Sequence, residues 1–368
     1  MPAVVSVVIP TYDRRDLLGR AIDSALSQTH GGMEVIVVDD GSSDGTWGML
    51  RGRYGRDARV KTIRQDNQGV CVARNVAMDA AQGDFIAFLD SDDVWRPWKI
   101  EAQLACLAHW PDVGMVWTDM ESLGRSGDVT HARFLRRMYG TYRHFDESAL
   151  FETTEMLGSM LPHGCRHLAN VPARRGRIGT AMMVGNLVHT STVLMTRARL
   201  GQAGRFDESL APAGEDHDFH LRVCQAGPVA LLDVPAISYQ TGRDDRLTRH
   251  REIMARNYLR TMERAVARAS AEDRPPGHVL RKARARGHAW LGGVLLDQGD
   301  CVTARRHLLH SLRLDPLQPR RVAEVIAASV PKPLLSATRH VVAGWRHRRR
   351  AGDQPVCTGS GAPAISRP

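Results

Sequence analysis

The chain has 368 residues, 43% of them hydrophobic and 24% charged, with 50 basic and 40 acidic side chains. This balance is typical of a folded globular protein and argues against collagen, extensive disorder and an integral membrane bundle. No apolar run reaches the roughly 18 to 20 residues of a membrane helix. Six scattered cysteines without CxxC spacing are expected to be reduced thiols, so we expect a cytoplasmic protein without a secretion signal.

The net charge of +10 is concentrated late in the sequence, where eight basic residues and one acid lie between Arg320 and Arg350. We expect no specific nucleic-acid partner, because the excess charge does not lie on a helix or sheet face with interleaved aromatic residues. Residues 333–350 combine apolar and basic side chains. If this segment is helical, it suits peripheral contact with an anionic membrane, but a solvated or disordered basic end is the slightly favoured alternative.

Short apolar runs alternate with amphipathic segments over about the first 120 residues. This is the pattern of a mostly parallel sheet flanked by helices, an α/β fold. Strands are predicted at 4–9, 35–38, 60–63, 85–89 and 113–117. Helices are predicted at 17–26, 70–81 and 97–109.

The later part of the sequence is less regular. Residues 120–185 are rich in Arg, Gly and His, and we interpret them as an insertion of mixed helix and loop. Regular patterns then return as strands at 192–196 and 229–232 and a helix at 215–226. From about residue 244 the composition is helical and includes the spacing of one tetratricopeptide-like helix pair.

Polar clusters follow three of the predicted strands, at 10–12, 39–44 and 90–93. Ligands bind in the crevice outside the carboxyl ends of strands in an open parallel sheet, so we expect these clusters to converge. If the segment is extended, Asp90 and Asp92 point to the same side, and this carboxylate pair suits Mg²⁺ or Mn²⁺ held together with substrate phosphates. The same acids are also common in turns and helix caps.

Several motifs occur in a fixed order. The first motif is the segment at 5–46, which reads VSVVIPTYDRRDLLGRAIDSALSQTHGGMEVIVVDDGSSDGT. It is followed by NQG at 67–69, ARN at 73–75, GDFIAFLDSDD at 83–93 and WRP at 95–97. In identity, order and spacing they resemble the family 2 glycosyltransferases over about residues 4–235. The resemblance implies a GT-A type, Rossmann-like fold. It also implies transfer of a sugar from a nucleotide sugar, with inversion at the anomeric carbon and with a divalent metal.

The resemblance assigns roles to individual residues. The donor-nucleotide positions that match the family are Pro10, Thr11, Tyr12, Asp40, Gly69, Arg74, Asp90 and Ser91. Of these, Asp40 would face the base and Asp90 would lie near the ribose or the sugar. Asp92 would be the ligand of Mg²⁺ or Mn²⁺. Arg74 lies where the family closes over the nucleotide, but it equally suits a solvated helix residue.

The resemblance also implies a catalytic base, because Gly214-Glu215-Asp216 lies where the family carries its base motif, and Asp216 would be the base. An inverting transfer needs a carboxylate opposite the leaving diphosphate to take the proton of the acceptor hydroxyl. The first turn of a helix favours such an anion, although acids are common there in any protein. The segment 186–191 is a candidate for contacts with the acceptor or the donor sugar.

The expected organisation is a glycosyltransferase domain at 1–243, comprising a nucleotide-binding half at 1–119, the insertion at 120–185 and an acceptor part at 186–243, then a helical extension at 244–331 and a basic, partly disordered tail at 332–368. We expect a UDP-, dTDP- or GDP-sugar donor and a saccharide or lipid-linked acceptor, in cell-surface polysaccharide or glycolipid synthesis at the inner face of the membrane. The alternatives are a non-catalytic nucleotide-sugar-binding or partner-docking protein, and a nucleotidyltransferase that has no use for a base at Asp216.

Overall fold

The computed structural model describes residues 4–161, 167–241 and 250–329. Within these ranges one mixed sheet of eleven strands forms the centre of the protein. The strands are β1 (Val5–Thr11), β2 (Met33–Asp39), β3 (Val60–Arg64), β4 (Phe85–Phe88), β5 (Val94–Trp95), β6 (Met115–Leu123), β7 (Val129–His131), β8 (Thr153–Met156), β9 (Pro172–Gly176), β10 (Leu194–Thr196) and β11 (Val229–Gln240).

The strand order is β3-β2-β1-β4-β10-β6-β11-β9-β8, with β5 paired to β11 and β7 paired to β6. Strands β3, β2, β1 and β4 are parallel neighbours, and β6 is parallel to β11, whereas β10 lies antiparallel between β4 and β6. Every residue of β1 is buried, as expected for a central parallel strand that is covered on both faces. The predicted mostly parallel sheet with flanking helices is confirmed.

Helices flank the sheet and continue after its last strand. They are α1 (Arg15–Leu26), α2 (Thr46–Tyr54), α3 (Val70–Ala80), α4 (Lys99–His109), α5 (Leu135–Met138), α6 (Glu147–Leu150), α7 (Gly179–Met183), α8 (Arg197–Ala203), α9 (Glu215–Gln225), α10 (Arg251–Arg268), α11 (Gly277–Gln298), α12 (Cys301–Leu314) and α13 (Pro319–Ser329). Helices α1, α3, α4 and α9 lie where the apolar periodicity predicts helices.

The insertion at 120–185 differs from the expected mixture of helix and loop, because it also adds strands to the sheet. Strand β9 pairs antiparallel with β11, and β8 pairs with β9 at the sheet edge. Strand β9 has no apolar strand pattern in the sequence, because it carries Arg174 and Arg175. These arginines pair with Asp233 and Asp112. The predicted strand at 229–232 is likewise too short, since β11 continues to Gln240.

Four helices, α10 to α13, follow the sheet. Met262 of α10 and Ala283 of α11 belong to the same buried core as the strands. Helix α11 ends at Gly299, and Asp300 caps α12 by accepting a hydrogen bond of 3.0 Å from the Thr303 backbone N–H. A Cβ atom on Gly292 would lie 2.8 Å from Leu308 Cγ, so the close contact between α11 and α12 requires glycine there. The boundaries at 243 and 331 stay predictions.

The basic tail at 332–368, with the membrane contact predicted for 333–350, lies outside the described residues. In the described part of the chain, no helix is both long enough and apolar enough to cross a membrane. The cysteines in that part are free thiols, and they are Cys71, Cys106, Cys224 and Cys301.

Candidate active site

The polar segments after β1 and β2 meet at one end of the sheet. Thr11 and Asp39 are paired across the two strands, and the Asp40 backbone N–H donates to Thr11 O at 2.9 Å. Pro10 and Thr11 are buried, whereas Tyr12 is 47% exposed. Thr11 Oγ1 is buried without a hydrogen-bond partner among the described residues, as expected for a group that meets a ligand.

Asp40 holds the loop that leads into α3. Its carboxylate accepts hydrogen bonds of 2.9 Å and 2.8 Å from the backbone N–H groups of Gln68 and Gly69, and one of 2.7 Å from Gln65 Nε2. Gly69 has φ of +91°, a conformation that favours glycine. A cleft of about 570 Å³ lies beside this loop. The contact of Asp40 with a base stays a prediction, because the observed bonds are to the loop itself.

Arg74 of α3 connects the two sides of the site. Its guanidinium is buried and donates to Asp90 Oδ1 and to Glu215 Oε1, both at 2.8 Å. It also lies over the Phe206 ring, 5.1 Å from the centroid. Burial opposes ionisation of Asp90, but the charges of Arg74 and His189 outweigh burial and lower the pKa of Asp90. The alternative interpretation of Arg74 as a solvated helix residue is wrong.

The segment after β4 turns rather than running straight. The Asp93 backbone N–H donates to Asp90 O at 3.1 Å, which closes a turn, so the premise that Asp90 and Asp92 lie on one side of an extended segment is wrong. The turn brings Asp93 to Asp90 instead. Ligand atoms of Asp90, Asp93 and His189 all lie within 4.8 Å of one another. Asp92 is half-buried and outside this group, and its role as the metal ligand stays a prediction.

His189 lies between the carboxylates and the insertion. Its Nε2 is 3.4 Å from Asp93 Oδ2, and its Nδ1 is 3.3 Å from the Tyr139 hydroxyl. Burial lowers the pKa of His189, but the carboxylates of Asp93, Asp90 and Asp216 raise it above its ordinary value. Asp93 Oδ1 is buried and has no hydrogen-bond partner in the described ranges. The carboxylates of Asp90 and Asp93 and the imidazole of His189 are ligands that fit a divalent cation, and the unpartnered Asp93 oxygen supports this.

Asp216 lies in the first turn of α9. Its Oδ2 accepts a hydrogen bond of 3.3 Å from Asn186 Nδ2. The pKa of Tyr139 is raised mainly by burial and next by the charge of Asp216. The same charge also raises the pKa of His189. Asp216 therefore lies near the group of Asp90, Asp93 and His189, and we refer to the region between these side chains and Tyr139 as the chamber. Acids from the segment after β4 and from α9 are thus neighbours in the fold, and the approach of the 39–44 cluster to them stays a prediction.

The sequence assigns no specific role to several residues that lie in or beside this chamber. The sequence gives Glu215 no role beyond its place beside Asp216. Burial raises the pKa of Glu215 to about 7, although the charge of Arg74 acts to lower this pKa. His189 lies within the 186–191 segment that was expected to contact a sugar. Asp93 has no role in the sequence-based assignment, and Tyr139 gives no sequence signal because it lies in the irregular insertion. Ser191 Oγ accepts a hydrogen bond of 3.0 Å from the Asp90 backbone N–H.

Residues 6–164 match the family model described as Glycosyl transferase family 2. UDP-Glc:alpha-D-GlcNAc-diphosphoundecaprenol beta-1,3-glucosyltransferase WfaP of Escherichia coli is 40% identical over 102 residues, which are 27% of this chain and 40% of the relative. The matches span only 30 to 40% of the length of the first curated relatives. Residues 6–164 therefore carry the sequence pattern of a family 2 glycosyltransferase domain.

Two solved structures are similar over most of this chain. S. aureus TarS 1–349 in complex with UDP-GlcNAc has a TM-score of 0.56 at 17% identity, covering 88% of this chain and 89% of that one. The mannosyltransferase PcManGT from Pyrobaculum calidifontis, in complex with GDP-Man and Mn²⁺, has a TM-score of 0.51 at 18% identity, covering 95% and 83%. At these identities the likeness concerns the fold alone, and the fold is of the GT-A type.

Proposed function

We propose that the chain is an inverting glycosyltransferase that moves a sugar from a nucleotide diphosphate sugar to a hydroxyl acceptor. The observation that carries this proposal is that Asp216 lies near the cluster of Asp90, Asp93 and His189. An inverting transfer needs a proton acceptor and a cation site on opposite sides of the reacting carbon. The family match supports the same reaction.

The donor nucleotide is proposed to bind along Pro10 to Tyr12 and the loop held by Asp40. The unpartnered Thr11 Oγ1 supports this assignment, as does the cleft beside Asp40, which is lined by Gly41, Arg64, Gln65, Asp66 and Asn67. The two proteins of similar fold are in complex with a uridine and a guanosine diphosphate sugar. The donor is therefore proposed to be a UDP-, dTDP- or GDP-sugar.

Asp90, Asp93 and His189 are the residues that would hold a divalent cation, with Asp92 as the further ligand that the sequence predicts. Carboxylates suit Mg²⁺ and Mn²⁺, and the imidazole shifts the preference toward Mn²⁺. When bound, such a cation neutralises charge that develops on the leaving diphosphate. Arg74 and Ser191 hold Asp90 in the cluster through its side chain and its backbone N–H.

Asp216 is proposed to act as the base. As the acceptor oxygen forms a bond to the anomeric carbon, the bond from that carbon to the diphosphate oxygen breaks, and the acceptor proton goes to the Asp216 carboxylate. The backbone N–H groups of the first turn of α9 favour negative charge at this position. Asn186 holds one carboxylate oxygen, which leaves the other oxygen to accept the proton.

The acceptor is proposed to be a saccharide or a lipid-linked sugar in cell-surface polysaccharide or glycolipid synthesis. The acceptor in the name of WfaP is a sugar linked to diphosphoundecaprenol, which supports the lipid-linked choice. The basic residues of 333–350 are proposed to bring the enzyme to the inner face of the membrane, each contributing about 1 kcal/mol near anionic lipid.

The test starts with a screen of nucleotide sugars for Mn²⁺-dependent thermal stabilisation, and the best donor is then used for transfer assays. Asp216→Asn should retain this stabilisation but lower transfer by about 100-fold or more. Asp93→Asn and Asp92→Asn should each weaken Mn²⁺-dependent stabilisation. Asp79→Asn, an exposed acid on α3, is the matched control and should change neither measurement.

Equal loss of donor affinity in Asp216→Asn and Asp93→Asn would contradict the division between base and cation site. Full transfer activity in Asp216→Asn would remove the base from this position. Donor binding without transfer to any saccharide or lipid-linked acceptor would favour the non-catalytic binding protein. Formation of a nucleotide sugar from a nucleoside triphosphate and a sugar phosphate would favour the nucleotidyltransferase.

A further inference from the structure

Helix α10 contacts the loop that leads into the proposed base. Asn257 of α10 is 7% exposed, and its Nδ2 donates to Leu210 O at 2.7 Å and to Ala213 O at 2.8 Å. Both hydrogens of one amide group are therefore bonded to one short segment. That segment ends at Gly214, and α9 with Asp216 begins directly after it.

Gly214 makes the contact between α10 and this loop close. Its φ of +95° lies in the left-handed region that favours glycine, and a Cβ atom there would lie 3.2 Å from Asn257 Cβ. The chain therefore reverses at Gly214 directly against α10. The direction in which α9 starts, and with it the position of Asp216, depends on this contact.

The next residue of α10 holds the other side of Asp216. The Tyr258 hydroxyl donates to Val184 O at 2.7 Å, and its ring stacks on His217 with 5.9 Å between the centroids. Val184 lies two residues before Asn186, whose amide contacts the Asp216 carboxylate. Neighbouring residues of α10 thus hold both the backbone before Asp216 and the segment that contacts its side chain.

We infer that Asn257 is a positioning residue that holds Asp216 where it can take the acceptor proton. This inference rests on the proposed function. Asn257 acts through the carbonyls of Leu210 and Ala213 rather than on the reacting atoms. Because a displacement of about 1 Å costs up to about 100-fold in rate, loss of these two bonds should lower kcat without lowering donor affinity.

Asn257→Asp is the sharpest variant, since it keeps the shape of the side chain but has no N–H group to donate. With the donor found in the thermal screen, it should lower kcat by about 10- to 100-fold and leave the donor Kd within about twofold. Asn257→Gln keeps the amide and should recover part of kcat. Arg256→Gln removes an exposed side chain paired with Glu252 on the same helix and should leave kcat unchanged.

The transfer activity that remains in Asp216→Asn distinguishes an effect of Asn257 on the position of Asp216 from an effect of Asn257 on the stability of the fold. If Asn257 acts through Asp216, adding Asn257→Asp to Asp216→Asn should cause no further loss. Tyr258→Phe, which removes the hydroxyl that donates to Val184 O, is a milder second variant and should also lower kcat at constant donor Kd. It gives a result even if Asn257→Asp does not fold.

Equal losses from Asn257→Asp in both backgrounds, or a matching loss of donor affinity, would overturn the inference. Wild-type kcat in both Asn257→Asp and Tyr258→Phe, with Asp216→Asn inactive, would overturn the inference and leave the proposed function standing. Wild-type transfer by Asp216→Asn would instead overturn the proposed role of the base.

Discussion

Replacement of Arg74 by methionine is expected to destabilise the protein by about 3 to 5 kcal/mol. Arg74 is 4% exposed, and its guanidinium pairs at 2.8 Å with both Asp90 and Glu215. Methionine keeps the apolar stem of the side chain but removes the charge and the guanidinium contact with the Phe206 ring. The larger part of the cost comes from Glu215, because it is buried and loses its cationic partner, whereas Asp90 is partly open to solvent.

The double variant Arg74→Met/Glu215→Gln tests this reasoning. Glutamine keeps the volume of Glu215 without its charge, so the double variant should be more stable than Arg74→Met by at least about 1 kcal/mol. The free energy of unfolding is measured by urea denaturation with tryptophan fluorescence. Burial raises the pKa of Glu215 to about 7, so the cost of Arg74→Met should also be smaller at pH 5.5, where Glu215 is protonated, than at pH 8.

A double variant no more stable than Arg74→Met would show that the loss comes from packing rather than from an unpaired carboxylate. Glu215→Gln alone is the control, since it leaves Arg74 paired with Asp90. It should cost less than Arg74→Met, because the remaining ion pair keeps both of its charges compensated.

Two further predictions concern a buried lysine and the tail. Burial lowers the pKa of Lys99 well below its ordinary value, so this group binds more protons in the unfolded chain, and its contribution to stability should rise with pH up to about 10. Lys99→Met should flatten that slope, and an equally steep slope in urea denaturation from pH 7 to 10 would contradict the reasoning. Removal of 333–368 should release the protein from anionic vesicles in a flotation assay but preserve transfer to a soluble acceptor. Unchanged vesicle binding would reject the membrane contact proposed for 333–350.

The sequence predicts the central strands because the residues that are buried there are apolar and β-branched. Strand β1 is a β-branched apolar run, and its residues are buried on both faces. Helix α2 was not predicted, because it is only 9 residues long and its buried face consists of no more than Thr46, Leu50 and Tyr54. Strand β9 was not predicted either, since its arginines are neutralised by acids from distant parts of the chain. Pairing across the fold leaves no local pattern.

The same limit applies to the chamber. The positions after the strands predict that Asp40 and Asp90 converge, because parallel strands end at one edge, whereas only the family resemblance implies that Asp216 joins them. The partners of these acids depend on backbone geometry that the sequence does not specify. One turn at 90–93 decides that Asp93 rather than Asp92 meets Asp90.

Helix α3 couples the nucleotide loop to the base helix. Its N-terminus is held by Asp40 through Gly69, and Arg74, one turn further along, holds Asp90 and Glu215 together. A helical turn is rigid, so a shift of the loop on donor binding moves Arg74 as well. Since Glu215 precedes the proposed base directly, that movement reaches α9 through one ion pair. Donor binding is therefore expected to affect the position of the base, and Arg74→Met should uncouple them.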